Sequence, residues 1–192
     1  MILNILKQFN WVDIFIVILL IRISYVAIKN GSFPELFKFL GVVLGTYLSL
    51  HYYTKLADFL KTFVKSEAAS IELFDLLSLI ILIVLGYIIA ALLREGLMRF
   101  IKVEVLSNVN KWVALILGLL RGILVSSLLI YLFSLPVISY LKNSAADSFL
   151  SRRIVKVAPS VYQGIWNNFM SKFMPQEKFN QAILEVQKDY LK

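Results

Sequence analysis

From Trp112 to Pro136 the chain runs twenty-five residues with a single charge, Arg121, near the middle. The stretch reads WVALILGLLRGILVSSLLIYLFSLP. At about 1.5 Å rise per residue, a helix of this length crosses roughly 30 Å of hydrocarbon. Hydrocarbon offers the backbone no hydrogen-bond partner, so an apolar run of this length must be helical to satisfy its own N–H and C=O groups. An arginine at its centre costs at least about 2.5–3.5 kcal/mol on insertion scales, a cost tolerated where the group has a partner or a task. The run therefore defines the environment of the chain before it says anything about activity.

Three further apolar runs share that character. The expected spans are 11–28, 33–53, 71–93 and 112–135. They define an all-α membrane protein with a four-span membrane domain, 1–138, and an amphipathic tail, 139–192. Only 17% of the residues are charged, against about 25% in ordinary soluble domains. The net charge of +8 does not imply nucleic-acid binding, because the Lys and Arg residues are scattered between and beyond the apolar runs. That placement suits lipid headgroups and topology signals. The expected partner is the lipid bilayer, with no nucleic acid. Residues 14–21 end in Arg22 and run on without a small-residue cleavage pattern, so the first run reads as a retained span rather than a signal peptide.

Between the spans, the short connection 29–32 makes the first two an antiparallel hairpin, and Pro34 fits the first turn of the second, where its missing N–H is no loss. Segment 55–65 places Leu56, Phe59, Leu60 and Phe63 on one face and Lys55, Asp58, Lys61 and Lys65 around them, the pattern of a helix lying in the membrane interface. Arg94, Arg99, Lys102 and Glu104 form a charged connection after the third span. The polar segment 142–156, with Arg152 and Arg153, reads as a hinge. Beyond it, Tyr162, Ile165, Trp166, Phe169 and Phe173 follow helical spacing, as do Phe179, Ile183, Val186 and Tyr190. These two amphipathic helices are expected on the membrane surface or capping the bundle.

Two patterns within the spans single out residues. Gly41, Gly45 and Ser49 in the second span are echoed by Gly118, Gly122 and Ser126 in the fourth. Three small residues on one face allow a neighbouring backbone to approach closely, whether within one bundle or in a homo-oligomer. The second pattern is an intramembrane charge cluster of Asp13, Arg22, Glu35 and Arg121. In an up-down bundle Arg22, Glu35, Arg94, Glu95 and Arg121 are displaced toward one membrane side. Arg121 lies deepest, roughly 14 Å inside the start of its helix. Pairing of Arg121 or Arg22 with Glu35 is geometrically reasonable. Such a cluster either conducts, senses or docks, or else is a structural ion pair with snorkelling arginines. His51, Tyr52 and Tyr53 at the end of the second span read as an interfacial aromatic belt.

Catalytic constellations are sparse. The absence of cysteine excludes thiolate chemistry, disulfides and iron–sulfur clusters, and a single histidine, His51, argues against a zinc catalyst. Ser24, Ser78, Ser126 and Ser127 have no histidine near them in sequence. No catalytic, cofactor-binding or metal-ligating residue is assigned, and the chain is expected to be non-enzymatic.

Several motifs together resemble the colicin V production protein (CvpA) family of bacterial inner-membrane proteins. They are Trp11-Val12-Asp13 at the first span, and Lys29-Asn30-Gly31 with Glu35 in the first connection. His51-Tyr52-Tyr53-Thr54, Asn110-Lys111 and Gly118-Leu119-Leu120-Arg121-Gly122 complete the set. Pro34 stands where the family often has arginine, and Ala114 where it often has glycine. The resemblance covers about residues 11–135, with a fainter likeness over 152–170. It implies a multi-pass protein of the bacterial inner (cytoplasmic) membrane that supports colicin V (toxin) production or export and envelope homeostasis. The expected role is that of a scaffold or accessory factor with an envelope or export partner. The alternative is a small oligomeric channel or transporter using Arg121 and the intramembrane acids. Bare counting of Lys and Arg leans toward cytoplasmic termini. The resemblance instead implies a cytoplasmic first connection, with both termini outside, and that orientation is adopted.

Overall fold

The computed structural model describes residues 10–63, 71–98, 108–135 and 137–189. Among them there are helices and connections and no strand. Four long helices follow in order: α1 (Trp11–Asn30), α2 (Ser32–Phe63), α3 (Ile71–Met98) and α4 (Asn108–Ser134). Each is long and apolar enough to cross a membrane. Asn10 starts α1 with a capping box: its side chain accepts from the Val12 and Asp13 N–H groups, while Asp13 accepts from the Asn10 N–H. Gly31 makes the sharp link to α2 at φ 81°, in the left-handed region that side chains avoid. Lys65, Arg99, Lys102, Glu104 and Tyr190 lie outside the described residues.

The spans stand in a row rather than a closed square. α1 packs along α4, α4 along α2, and α2 along α3, while the α1–α2 hairpin touches only sparsely and α3 has next to no contact with α4. Small residues explain the order. In lipid no hydrophobic force drives helices together, so the closest approach is made where backbones can meet. A Cβ on Gly41 would stand 2.6 Å from the Ala90 Cβ, and a Cβ on Gly86 would collide with the Gly45 backbone. On the other flank, a Cβ on Gly118 would collide with Ala27, and one on Gly122 would stand 2.8 Å from Leu20 Cδ2.

The helix carrying the second span does not stop at Tyr53. It continues unbroken to Phe63, 32 residues or about 48 Å, well beyond the hydrocarbon thickness of roughly 30 Å. No Gly or Pro interrupts it after Gly45, so residues 55–63 extend α2 instead of forming a helix of their own.

The tail folds back on the ends of the spans. It comprises α5 (Ser139–Asp147), α6 (Phe149–Ile154), α7 (Val157–Ile165), a π-helical turn (Trp166–Met170), α8 (Ser171–Phe173) and α9 (Ala182–Asp189). Segment 142–156 is therefore helical and fastened, where the sequence read as a hinge. The breaks between its helices are closed by buried polar side chains. Ser148 caps α6 by accepting from the Ser151 N–H. Ser127 of α4 donates to the Val155 carbonyl at 3.1 Å and accepts from the Ala158 N–H at 2.8 Å. Free helix ends must find such partners when buried, and α4 supplies them.

Candidate functional site

The deepest polar contact joins α4 to α2. Arg121 Nε lies 2.5 Å from Glu35 Oε1, with the Glu35 side chain fully buried and that of Arg121 12% exposed. The N–H does not aim along this contact, so it is an ion pair rather than an aligned hydrogen bond. Lys38, one turn after Glu35, brings its Nζ to 3.5 Å from Oε2. Two cations thus share one buried carboxylate. The level of the two helices is set nearby, where the Ser32 N–H donates to Asn110 Oδ1 at 2.7 Å. α2 and α4 run in the same direction, and from this common level Glu35 is three residues in and Arg121 eleven. The arginine must reach back toward the start of its own helix, the direction in which helical side chains lean.

Asp13 and Arg22 lie apart from this pair. Asp13 is fully buried but faces the tail. Its Oδ1 accepts from Ser148 Oγ at 2.7 Å and from the Leu150 N–H at 2.8 Å, while Oδ2 accepts from the Asn10 N–H at 2.9 Å. Asn10 adds a 2.6 Å bond to the Ser144 carbonyl. Arg22 is exposed on α1. Of the small residues, Gly41 and Gly45 meet α3, and Gly118 and Gly122 meet α1. Ser49 Oγ bonds the Thr46 carbonyl within its own helix, and the buried Ser126 Oγ has no hydrogen-bond partner among the described residues. Gly86 and Ala90, the surfaces that receive Gly45 and Gly41, went unremarked in the sequence although their four-residue spacing mirrors that of their partners.

A second polar cluster fastens the tail to α2. His51 and Tyr53 are buried, not arrayed at a lipid surface. The His51 ring stacks between Tyr47 and Trp166, with centroids at 5.3 and 5.1 Å. Its Nδ1 shares a 2.9 Å hydrogen bond with Tyr162 Oη, which also accepts from the Asn180 N–H. Asn180 in turn donates to the Leu50 carbonyl at 2.8 Å. Glu177 lies 3.6 Å from His51 Nε2 and pairs with Lys55. The hydrogen bond from Lys55 holds the Glu177 carboxyl below its usual range, while burial pushes the Tyr162 phenol up. The π-helical turn begins at Trp166, within this aromatic stack. A lone histidine and scattered tail residues gave no sequence signal for a cluster assembled over more than a hundred positions.

Among the described residues no group of His, Asp and Glu is arranged to hold a metal ion. Near the ion pair lies an apolar cavity of about 350 Å³ between α2, α3 and α4, with Ile23 of α1 at its edge and Arg121 in its wall. Chemically, the arrangement pairs a deep cation with a buried carboxylate beside an apolar cavity.

Comparison with curated proteins and with solved structures returns no match. The family model described as colicin V production protein matches residues 12–159. That match takes in all four spans, the ion pair, Asp13 and the first tail helices that Asp13 fastens. This chain is a multi-pass membrane protein and belongs to the colicin V production protein family.

Proposed function

We propose that the protein is a non-enzymatic scaffold or accessory factor of the bacterial inner membrane, supporting colicin V production or export and envelope homeostasis. The observation that carries this reading is the Arg121–Glu35 pair. The costliest charge in the chain is neutralised internally and aligns α4 with α2, which is architectural work. The adjoining cavity is walled mostly by aliphatic side chains, with Tyr87 and the paired Arg121 as its polar groups and no carboxylate among them, and so offers a cation little replacement for its hydration shell. The tail, fixed at Asp13, Ser127 and His51, presents exposed Phe169 and Phe173 for a protein partner. We further propose that the first connection faces the cytoplasm, with both termini outside.

The test pairs two assays on the full chain. A photocrosslinker at Phe169 or Phe173 in native membranes is expected to capture an envelope or export protein, while reconstituted protein gives no ion flux in proteoliposomes. Flux that disappears in a correctly folded Arg121→Leu variant would overturn the scaffold in favour of the channel. A reporter at Lys192 active only in the cytoplasm would overturn the orientation.

A further inference from the structure

The cavity between α2, α3 and α4 exists because α3 and α4 both lean on α2 but not on each other. Gly41 and Gly45 line it beside their close contacts with α3, and Val84, Tyr87, Val125 and Leu129 stand along its sides. Its volume of about 350 Å³ falls at the lower end of the range of about 300–1,000 Å³ for small-molecule sites. A transmembrane helix some 10 Å wide would fill that volume in about one turn, so a neighbouring helix does not fit it. A flexible hydrocarbon chain does.

The cavity has a polar neighbour. A small notch lined by Phe37, Lys38, Ala90 and Arg94 shares Gly41 and Tyr87 with it. The two features are therefore contiguous, one apolar and deep, the other basic and toward the start of α2. Lys38, Arg94 and Arg121 bring three cations to this junction, where Glu35 contacts Lys38 and Arg121 and leaves Arg94 to the notch. Basic pockets between spans are suited to anionic headgroups.

We propose that this is a binding site for one anionic phospholipid, with an acyl chain in the cavity and the phosphate at Lys38 and Arg94. Arg121, held by Glu35, forms wall rather than headgroup contact. The lipid fills the gap left by the row arrangement and completes the bundle without a fifth helix.

The test uses the full chain in phosphatidylcholine nanodiscs, with a phosphatidylglycerol carrying a photoactivatable acyl chain. Labelling is expected in the segments 83–87 and 125–129. Unlabelled phosphatidylglycerol should compete far better than phosphatidylcholine of the same chains. Lys38→Gln with Arg94→Gln should weaken that competition roughly thirty-fold, the effect of losing two basic residues at a membrane surface. Val125→Trp, which puts an indole ring into the cavity, should sharply reduce the labelling. Equal competition by the two lipids, labelling undiminished in Val125→Trp, or crosslinks to a second copy in place of lipid would each overturn the proposal. Should the variants fail to fold, the competition measured on the native chain decides it alone.

Discussion

Removing Glu35 should harm the protein more than removing Arg121, although each substitution breaks the same ion pair. Glu35 is fully buried and contacts both Arg121 at 2.5 Å and Lys38 at 3.5 Å. Glu35→Gln leaves two cations facing each other in a low-dielectric site with no counter-charge. Breaking a buried pair in this way costs about 3–5 kcal/mol. Arg121→Leu, by contrast, leaves Glu35 with Lys38, removes the deepest charge from the bilayer and puts an apolar side chain against an apolar cavity. Its cost should fall in the ordinary range of about 0.5–3 kcal/mol. The double variant Glu35→Leu/Arg121→Leu should cost less than Glu35→Gln, because the deepest cation leaves together with the carboxylate and only Lys38, near the start of α2, loses its partner. Unfolding free energies from SDS titration or steric trapping in bicelles measure all three. The reasoning is refuted if Arg121→Leu costs as much as Glu35→Gln, or if the double variant costs as much as Glu35→Gln alone.

Other consequences follow from the packing and the tail. Gly122→Leu should lower thermal stability in detergent far more than Leu119→Ile, since Gly122 faces Leu20 at contact distance while Leu119 is exposed; equal melting temperatures would contradict this. Gly86→Ala should cost about 1–3 kcal/mol through collision with the Gly45 backbone, and Gly96→Ala, with open space around it among the described residues, should not lower the melting temperature in the same assay. Asp13→Asn should loosen α5 and α6 by about 1.5–3 kcal/mol, because the carboxylate accepts from Asn10, Ser148 and Leu150, and proteolysis within 142–156 should accelerate. Glu177 has its pKa lowered in the folded state by Lys55, so its contribution is complete above the ordinary carboxylate value of about 4.5 and lost as the pH falls through the lowered one. Trp166 fluorescence should report release of the tail in that acidic range, and Lys55→Gln, which leaves only His51 beside Glu177, should weaken the dependence.

The spans were legible because hydrophobic length is a local property, and the glycine spacings because helix faces repeat every four residues or so. What a face meets is not local. Gly41 and Gly45 announced a close contact, but only the fold shows it to be Ala90 and Gly86 on α3 and sets the row order α1, α4, α2, α3. Charge positions narrowed the neighbours of Arg121 to one membrane side. The structure places it on Glu35 and leaves Arg22 exposed. The polar stretch 142–156 looked like a hinge because its anchors, Asp13 and Ser127, are distant in sequence. His51 likewise looked like a headgroup aromatic, since Tyr162 and Trp166 reach it from the tail.

The central claim, that Arg121 serves the architecture of a production scaffold, is tested most directly by complementation. The native chain and the Glu35→Leu/Arg121→Leu variant would be expressed in a colicin V-producing host lacking its own family member, and secreted toxin activity measured. Restoration by both, with the variant at normal level in the membrane, is the expected result. Failure of the native chain would contradict the assigned role, and loss of toxin with the folded double variant would show that the arginine has a task beyond its pair.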